Sequence, residues 1–380
     1  MSIAESRNMP AGPQHAVVSR KTFLRAATGA VLTGASTLVS APGAQGAQPA
    51  RSRVGTLQVS KVADLTGPDI TTRFRMEATD LGVPVRTPDG RLLFVFGDTF
   101  EHARAGGGWW RSPVALYGKA DPLTKRVRWT GAVGGEHAQQ LWAYEHDNPQ
   151  FSTVLPSDVI TIGGTIYLHV MVNKPYPNVV WTEIWRSDDS GATWTHTGAK
   201  FPADLHGGLF QMLTWGLGDD GYVYVYSTGN QRDKPIILHR VPLGRITDPG
   251  AYEPWGRRDG AWGWGNSPTP VLEGRFGELC LRPLGGKWVL TWFNQGDYRI
   301  DGIIADHPTS NLSTSRREIL IHGGAWGQED DTHVAQLYGG YIIPGSTLDE
   351  LHLSVSQWNN DGKVNWPYHV MQFRVRGFGG

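Results

Sequence analysis

One pattern recurs along this chain and restricts its fold more than any other feature: a short strand, a glycine-containing turn and an apolar strand. It appears as VPVRTPDGRLLFVFGDTF (83–100), VITIGGTIYLHVMVN (159–173), LTWGLGDDGYVYVYSTGN (213–230) and ELCLRPLGGKWVLTWFN (278–294). It returns more loosely as YGGYIIPGSTLDELHLSVSQWN (338–359). The turns lie roughly 55–75 residues apart, room for four strands and their loops. A unit of this kind cannot bury its apolar faces alone and must stack on its neighbours. Five units therefore predict an all-β, five-bladed β-propeller, with each quoted hairpin innermost in its blade. Forty-nine glycines, 24 prolines, 16 tryptophans and only 18% charged residues disfavour helical bundles and disorder.

The ring needs a closure. Thr56 to Val62 reads as a strand that lies beside the last blade, with Phe373 to Val375 as its partner; propellers avoid a free edge in this way. Residues 48–380 then form one domain. Ahead of it, Ser19-Arg20-Lys21-Thr22-Phe23-Leu24-Arg25 precedes a mildly apolar run from Ala26 to Ser40 and small residues through Ala47. Residues 1–47 are thus expected to be a secretory signal of twin-arginine character, with Lys21 in place of the second arginine. A secreted or cell-wall-associated protein follows. The apolar run is too short to span a bilayer, and no spanning segment is expected after it.

Without Arg7, Arg20, Lys21, Arg25 and Glu5, the 35 basic and 35 acidic residues become 31 and 34, a net charge of −3. That balance argues against nucleic acid and favours a neutral ligand. Cys280 is the only cysteine, so an exported domain here rests on its core and not on disulfides. A monomer is expected. In the second unit, Ser187-Asp188-Asp189-Ser190-Gly191-Ala192-Thr193-Trp194 fits the S-x-D-x-G-x-T-W Asp box. Asp189 and Ser187 are expected to bond turn amides while Trp194 packs between blades, a structural role.

Ligands of a propeller bind at the axis, where inner strands begin and their partners end. In the first unit those positions carry Asp80 and Asp98, two carboxylates on one rim of one antiparallel hairpin. Glycosidic-bond hydrolysis can use such a pair. The plainer alternative is that Asp80 caps a loop and Asp98 makes an Asx-turn. A third carboxylate, Glu278, begins the fourth unit and could raise an acid's pKa by like-charge repulsion, although a solvated strand start is as good a reading. Candidate substrate-binding residues are Asp147, Asn148, Gln211, Arg282, Asn294 and Trp110. Other rim positions are Ser157 and Asp158 at a strand entry, Asn173, Asn230, His333, Gln336 and Gln357.

Tryptophans 109, 110, 142, 215, 262 and 264 fall in predicted loops or strand ends, and the Gly-rich run 259–266 reads as a loop that could cover the site. No H-E-x-x-H, zinc spacing, P-loop or G-x-S-x-G occurs, and no cofactor or metal is expected.

Several of these stretches together resemble a known family. They are Thr79-Asp80-Leu81-Gly82-Val83-Pro84-Val85, Phe96-Gly97-Asp98-Thr99-Phe100, and Leu155-Pro156-Ser157-Asp158-Val159 with the strand at 164–171. Trp181-Thr182-Glu183-Ile184-Trp185 with the Asp box, and Gly277-Glu278-Leu279-Cys280-Leu281-Arg282, complete the set. Over about residues 61–375 the chain resembles bacterial endo-D-arabinanases of glycoside hydrolase family 183, formerly the domain of unknown function numbered 4185. The resemblance implies a five-bladed propeller that cuts α-linked D-arabinofuranosyl chains of mycobacterial-type arabinogalactan and lipoarabinomannan. It implies Asp80 and Asp98 as the catalytic pair, with Asp80 as base, Asp98 as acid, Glu278 as an auxiliary carboxylate and inversion at the anomeric carbon. The polysaccharide is then the partner. A non-catalytic carbohydrate-binding propeller is the alternative. A sialidase, which the Asp box would allow, needs an arginine cluster of which only Arg282 is in place.

Overall fold

A computed structural model describes residues 57–119, 123–358 and 368–380. The signal segment expected at residues 1–47 lies outside the described residues. Five antiparallel-based sheets make up the fold, and each begins with the hairpin expected of it. The closing strand is β1 (Gln58–Asp64). Blade 1 holds β2 (Val83–Arg86), β3 (Leu92–Phe96), β4 (Val114–Lys119) and β5 (Arg128–Ala132). Blade 2 holds β6 (Thr153–Ile162), β7 (Thr165–Asn173), β8 (Val179–Ser187) and β9 (Thr195–Pro202). Blade 3 holds β10 (Met212–Leu217), β11 (Tyr222–Thr228), β12 (Ile237–Pro242), β13 (Glu253–Arg258) and β14 (Ala261–Trp264). Blade 4 holds β15 (Phe276–Leu284), β16 (Lys287–Asn294), β17 (Arg299–Ala305), β18 (Arg316–Gly324) and β19 (His333–Ala335). Blade 5 holds β20 (Leu337–Ile342), β21 (Glu350–Trp358) and β22 (Tyr368–Arg376), and β1 pairs on its outer side. Lys61 faces Phe373 and Val59 faces Val375, the closure expected from the sequence.

The innermost strands neighbour one another in the order β2, β6, β10, β15, β20 and back to β2, which makes the structure a five-bladed β-propeller. Side chains join neighbouring blades. Ser157 Oγ donates to Leu213 O at 2.7 Å and accepts from Leu213 N at 2.7 Å. Ser354 Oγ reaches Gly82 O at 2.7 Å, and Thr291 Oγ1 reaches Gly340 O at 2.6 Å. Asp158 makes the largest of these joints. Its carboxylate accepts from Thr214 Oγ1 and Trp215 N of β10 and from both terminal nitrogens of Arg282 on β15, at 2.7–3.0 Å. The apolar faces between blades fill with residues such as Val83, Val95, Leu168 and Val170.

The Asp box behaves as its residues require. Asp189 Oδ1 accepts from Thr193 N at 2.9 Å, and Ser187 Oγ accepts from Gly191 N at 2.8 Å. The turn sits against blade 1, where Tyr117 donates its hydroxyl to Ser190 O at 3.2 Å, and Trp194 is buried.

Three expectations are corrected. Strand β6 starts at Thr153, so Ser157 and Asp158 lie inside it and not at its entry. Trp215 is wholly buried on β10 and not at a loop or strand end. The run 259–266 belongs largely to the β13–β14 hairpin, the outermost of blade 3, in which Trp255 pairs with Trp264. It lies four strands out from the axis and does not cover the site.

Candidate active site

Asp80 and Asp98 lie at the same end of the β2–β3 hairpin, where Val83 pairs with Val95. Gly97 N donates to Asp80 O at 3.2 Å, which ties the segment before β2 to the segment after β3. Leu81 turns through the left-handed region (φ 64°) and donates its N–H to Ser356 Oγ of blade 5 at 2.8 Å, fixing the approach to β2. A glycine is required at 97 by contact and not by dihedral, because a Cβ there would stand 2.3 Å from Asp80 Oδ1. The Asp80 carboxylate therefore rests directly on the backbone that carries Asp98.

Both carboxylates are deeply set, Asp80 2% and Asp98 8% exposed. Each is oriented by donors from another blade or loop, as buried carboxylates must be. Tyr338, on β20 of blade 5, donates its hydroxyl to Asp80 Oδ2 at 2.8 Å. Asp98 Oδ1 accepts from Trp110 Nε1 at 3.0 Å and from Thr153 Oγ1 of blade 2 at 2.8 Å. Trp110 stacks on His146 with ring centroids 3.6 Å apart, and burial holds the His146 imidazole below its ordinary pKa. A neutral ring thus backs the tryptophan that positions Asp98. Trp109 lies under the guanidinium of Arg111, 3.9 Å from the ring centroid.

Glu278 reaches the same axis from β15. It is 6% exposed and ion-paired through Oε1 to Arg232, in the loop between β11 and β12. Burial alone would lower the Arg232 pKa, but the Glu278 carboxylate outweighs it and holds the guanidinium charged. The guanidinium lies 5.0 Å from the Tyr338 ring centroid, so Glu278, Arg232, Tyr338 and Asp80 form one connected chain across blades 4, 3, 5 and 1. Tyr341 on β20 senses the convergence: burial, then the charges of Glu278, Asp158 and Asp80, push its hydroxyl well above the ordinary value. Glu278 thus has a cationic partner of its own at the axis.

The remaining candidates divide. Trp110 is drawn into the centre, as are Tyr338, Arg232 and Thr153, which sequence reasoning missed. Arg282 is committed to Asp158. Asn294 is buried, donating to Asp301 Oδ2 at 2.7 Å and Asp297 Oδ2 at 3.2 Å, and so organises its own turn. Asp147 and Asn148 occupy the connector before β6, where Asn148 Oδ1 accepts from Gln150 N. Gln211 pins two loops of blade 3. Asn173 Oδ1 accepts from Asn230 Nδ2 at 3.4 Å. Gln357 donates to Ala335 O, Gln336 N to the Tyr298 hydroxyl, and His333 pairs with Asp330, all within blades 4 and 5. Among the described residues no group of three or more His, Cys, Asp or Glu side chains could hold a metal ion.

Comparison with known proteins gives the fold its relatives. A Bacteroides ovatus protein provisionally described as a hydrolase superposes with a TM-score of 0.57 at 13% identity, over 86% of this chain and 93% of its own. The GH43_1 enzyme from Xanthomonas citri complexed with xylotriose superposes with a TM-score of 0.50 at 13% identity, over 82% of this chain and 90% of its own. In sequence, the 35.9 kDa protein in the asd 3′ region of Mycolicibacterium smegmatis is 31% identical over 323 residues, 80% of this chain and 94% of that protein. Residues 66–374, which carry the inner hairpin of every blade and both aspartates, match the family described as Domain of unknown function (DUF4185), and the chain belongs to that family.

Proposed function

We propose that this protein is an exported glycoside hydrolase that cleaves α-linked D-arabinofuranosyl chains within the polymer and with inversion. The observation that carries the reading is the aspartate pair on one hairpin rim, each carboxylate held by donors from elsewhere in the ring. Asp80 acts as the base that takes a proton from the attacking water, and Asp98 as the acid that protonates the departing glycosidic oxygen. The two hydrogen bonds accepted by Asp98 Oδ1 hold the carboxylate in position at the rim. Glu278, paired with Arg232, places that arginine against Tyr338 and so acts on Asp80 through its position. A propeller that holds xylotriose supports a chain of pentose residues as ligand. A sialidase is disfavoured, since Arg232 and Arg282 are both already paired with carboxylates.

The test is to incubate the purified protein with mycobacterial arabinogalactan and, separately, with plant L-arabinan, and to measure new reducing ends. Hydrolysis of the first alone is expected. Asp80→Asn and Asp98→Asn should each lower the rate by about 10²–10⁴-fold, the usual share of general acid–base catalysis, with melting temperature unchanged. Binding without cleavage by the wild type would make the protein a sugar-binding module, and cleavage of L-arabinan alone would overturn the substrate.

A further inference from the structure

On blade 3 a cavity of about 490 Å³ opens between the loop that precedes β10 and the loop that joins β11 to β12. Its polar lining is Asp204, Gln211, Gln231, Asp233 and Lys234. We propose that this cavity is a distal subsite, holding a sugar residue of the same chain whose scissile bond lies at Asp80 and Asp98. The inference rests on the glycoside hydrolase reading and adds to it where, away from the cleavage point, the polymer is gripped.

Four observations support the assignment. The first is place. The two loops lead into β10 and out of β11, where Met212 pairs with Thr228, and this is the same end of the blade as the aspartate rim is of blade 1. The second is chemistry. The side chains of Asp204, Gln231, Asp233 and Lys234 make no hydrogen bond or ion pair among the described residues, although they face one concavity. Two carboxylates, an amide and one ammonium offer acceptors and donors suited to the hydroxyls of a neutral sugar. An anionic ligand would meet two carboxylates against a single lysine.

The third is rigidity. Gln211 Nε2 donates to Ala203 O at 2.8 Å and Gln211 Oε1 accepts from Asn230 N at 3.1 Å, so one side chain ties both walls together. His206 Nε2 lies 3.1 Å from His239 Nε2 of β12, which ties the same loop to the blade. A wall fixed in this way loses little entropy when a ligand arrives. The fourth is connection. Arg232 stands between Gln231 and Asp233 in sequence but reaches the other way, to Glu278 and the Tyr338 ring. One loop thus lines the cavity and braces the catalytic centre.

The test uses Asp98→Asn protein, disabled for turnover, titrated calorimetrically with D-arabinofuranosyl oligosaccharides of increasing length from a disaccharide upward. Affinity should rise with length until the chain fills the cavity. Adding Gln231→Ala and Asp233→Ala, both at exposed positions, should weaken the longest ligands by about tenfold, as expected for one or two lost hydrogen bonds, and leave the shortest unchanged. Equal affinities at every length would overturn the subsite and leave the glycosidase reading standing, and so would an equal loss at every length. Failure of the Asp98→Asn protein to bind any of these oligosaccharides, with a wild type that cleaves none, would overturn the reading itself and the subsite with it.

Discussion

Gly97 shows how closely the Asp80 carboxylate rests on the backbone that leads into Asp98. A methyl group at this position would stand 2.3 Å from Asp80 Oδ1, and the carboxylate is the only part of that contact able to swing away. Gly97→Ala is expected to displace Asp80 while leaving the blade core intact. A displacement of about 1 Å can cost about 10²-fold in rate, so kcat should fall by that order with the circular dichroism spectrum and melting temperature preserved. Full activity in this variant would remove the Asp80 position from the mechanism. The aspartates themselves are legible in the sequence, because a turn of Thr87-Pro88-Asp89-Gly90 and a five-residue apolar strand define the hairpin and hence its rim. Their partners are not. Tyr338 binds Asp80 across 258 residues and Arg232 binds Glu278 across 46, and no local pattern relates positions on different blades. The one available signal for Arg232 is its place in the exit loop of a predicted inner hairpin.

At the scale of the element, the hairpins are readable and their starting points less so. The strand expected from residue 159 begins at Thr153 and includes Pro156, a residue that cannot donate to a ladder. The structure accommodates it with a register shift between Pro156 and Asp158, so the strand continues through. That bulge turns Asp158 towards β10 and β15, and a residue expected at the rim becomes a joint between three strands. The β13–β14 hairpin misleads for a different reason. A glycine-rich run of tryptophans resembles a loop, but Trp255 and Trp264 pack together at 4.8 Å between centroids on the outer edge of blade 3. The Asp box is a local motif, and its reading holds. Trp194→Ala should destabilise the protein by about 3–5 kcal/mol, measured by chemical denaturation, with the specific activity of the folded fraction retained. Unchanged stability would mean that the indole contributes no packing between blades 1 and 2.

Taken whole, the molecule is expected to lose stability in acid. His169, His239 and His369 are buried, and desolvation depresses each imidazole to about 3. His169 makes no hydrogen bond through either ring nitrogen among the described residues. In each case the unfolded chain takes up a proton near the ordinary histidine value of about 6.5, well before the folded one does. Their contribution is therefore fully present above that pH and declines as pH falls towards 3, with a slope approaching about 1.4 kcal/mol per pH unit for each group. Melting temperature followed from pH 8 down to pH 4 should drop, and His169→Phe should flatten part of the decline. An undiminished slope in that variant would exclude His169 as a source.

The closure of the ring carries a consequence in time. Ser60 on β1 accepts a hydrogen bond from Arg374 on β22, 314 residues further along the chain. As the polypeptide emerges from the ribosome, blades 1 to 4 can each form once their own strands are out, but β1 has nothing to pair with until β22 appears. Until β22 emerges, the growing arc carries an orphan strand at one end and an unfinished sheet at the other. The contacts that make the ring continuous become possible only after all the other blades of the propeller can have formed.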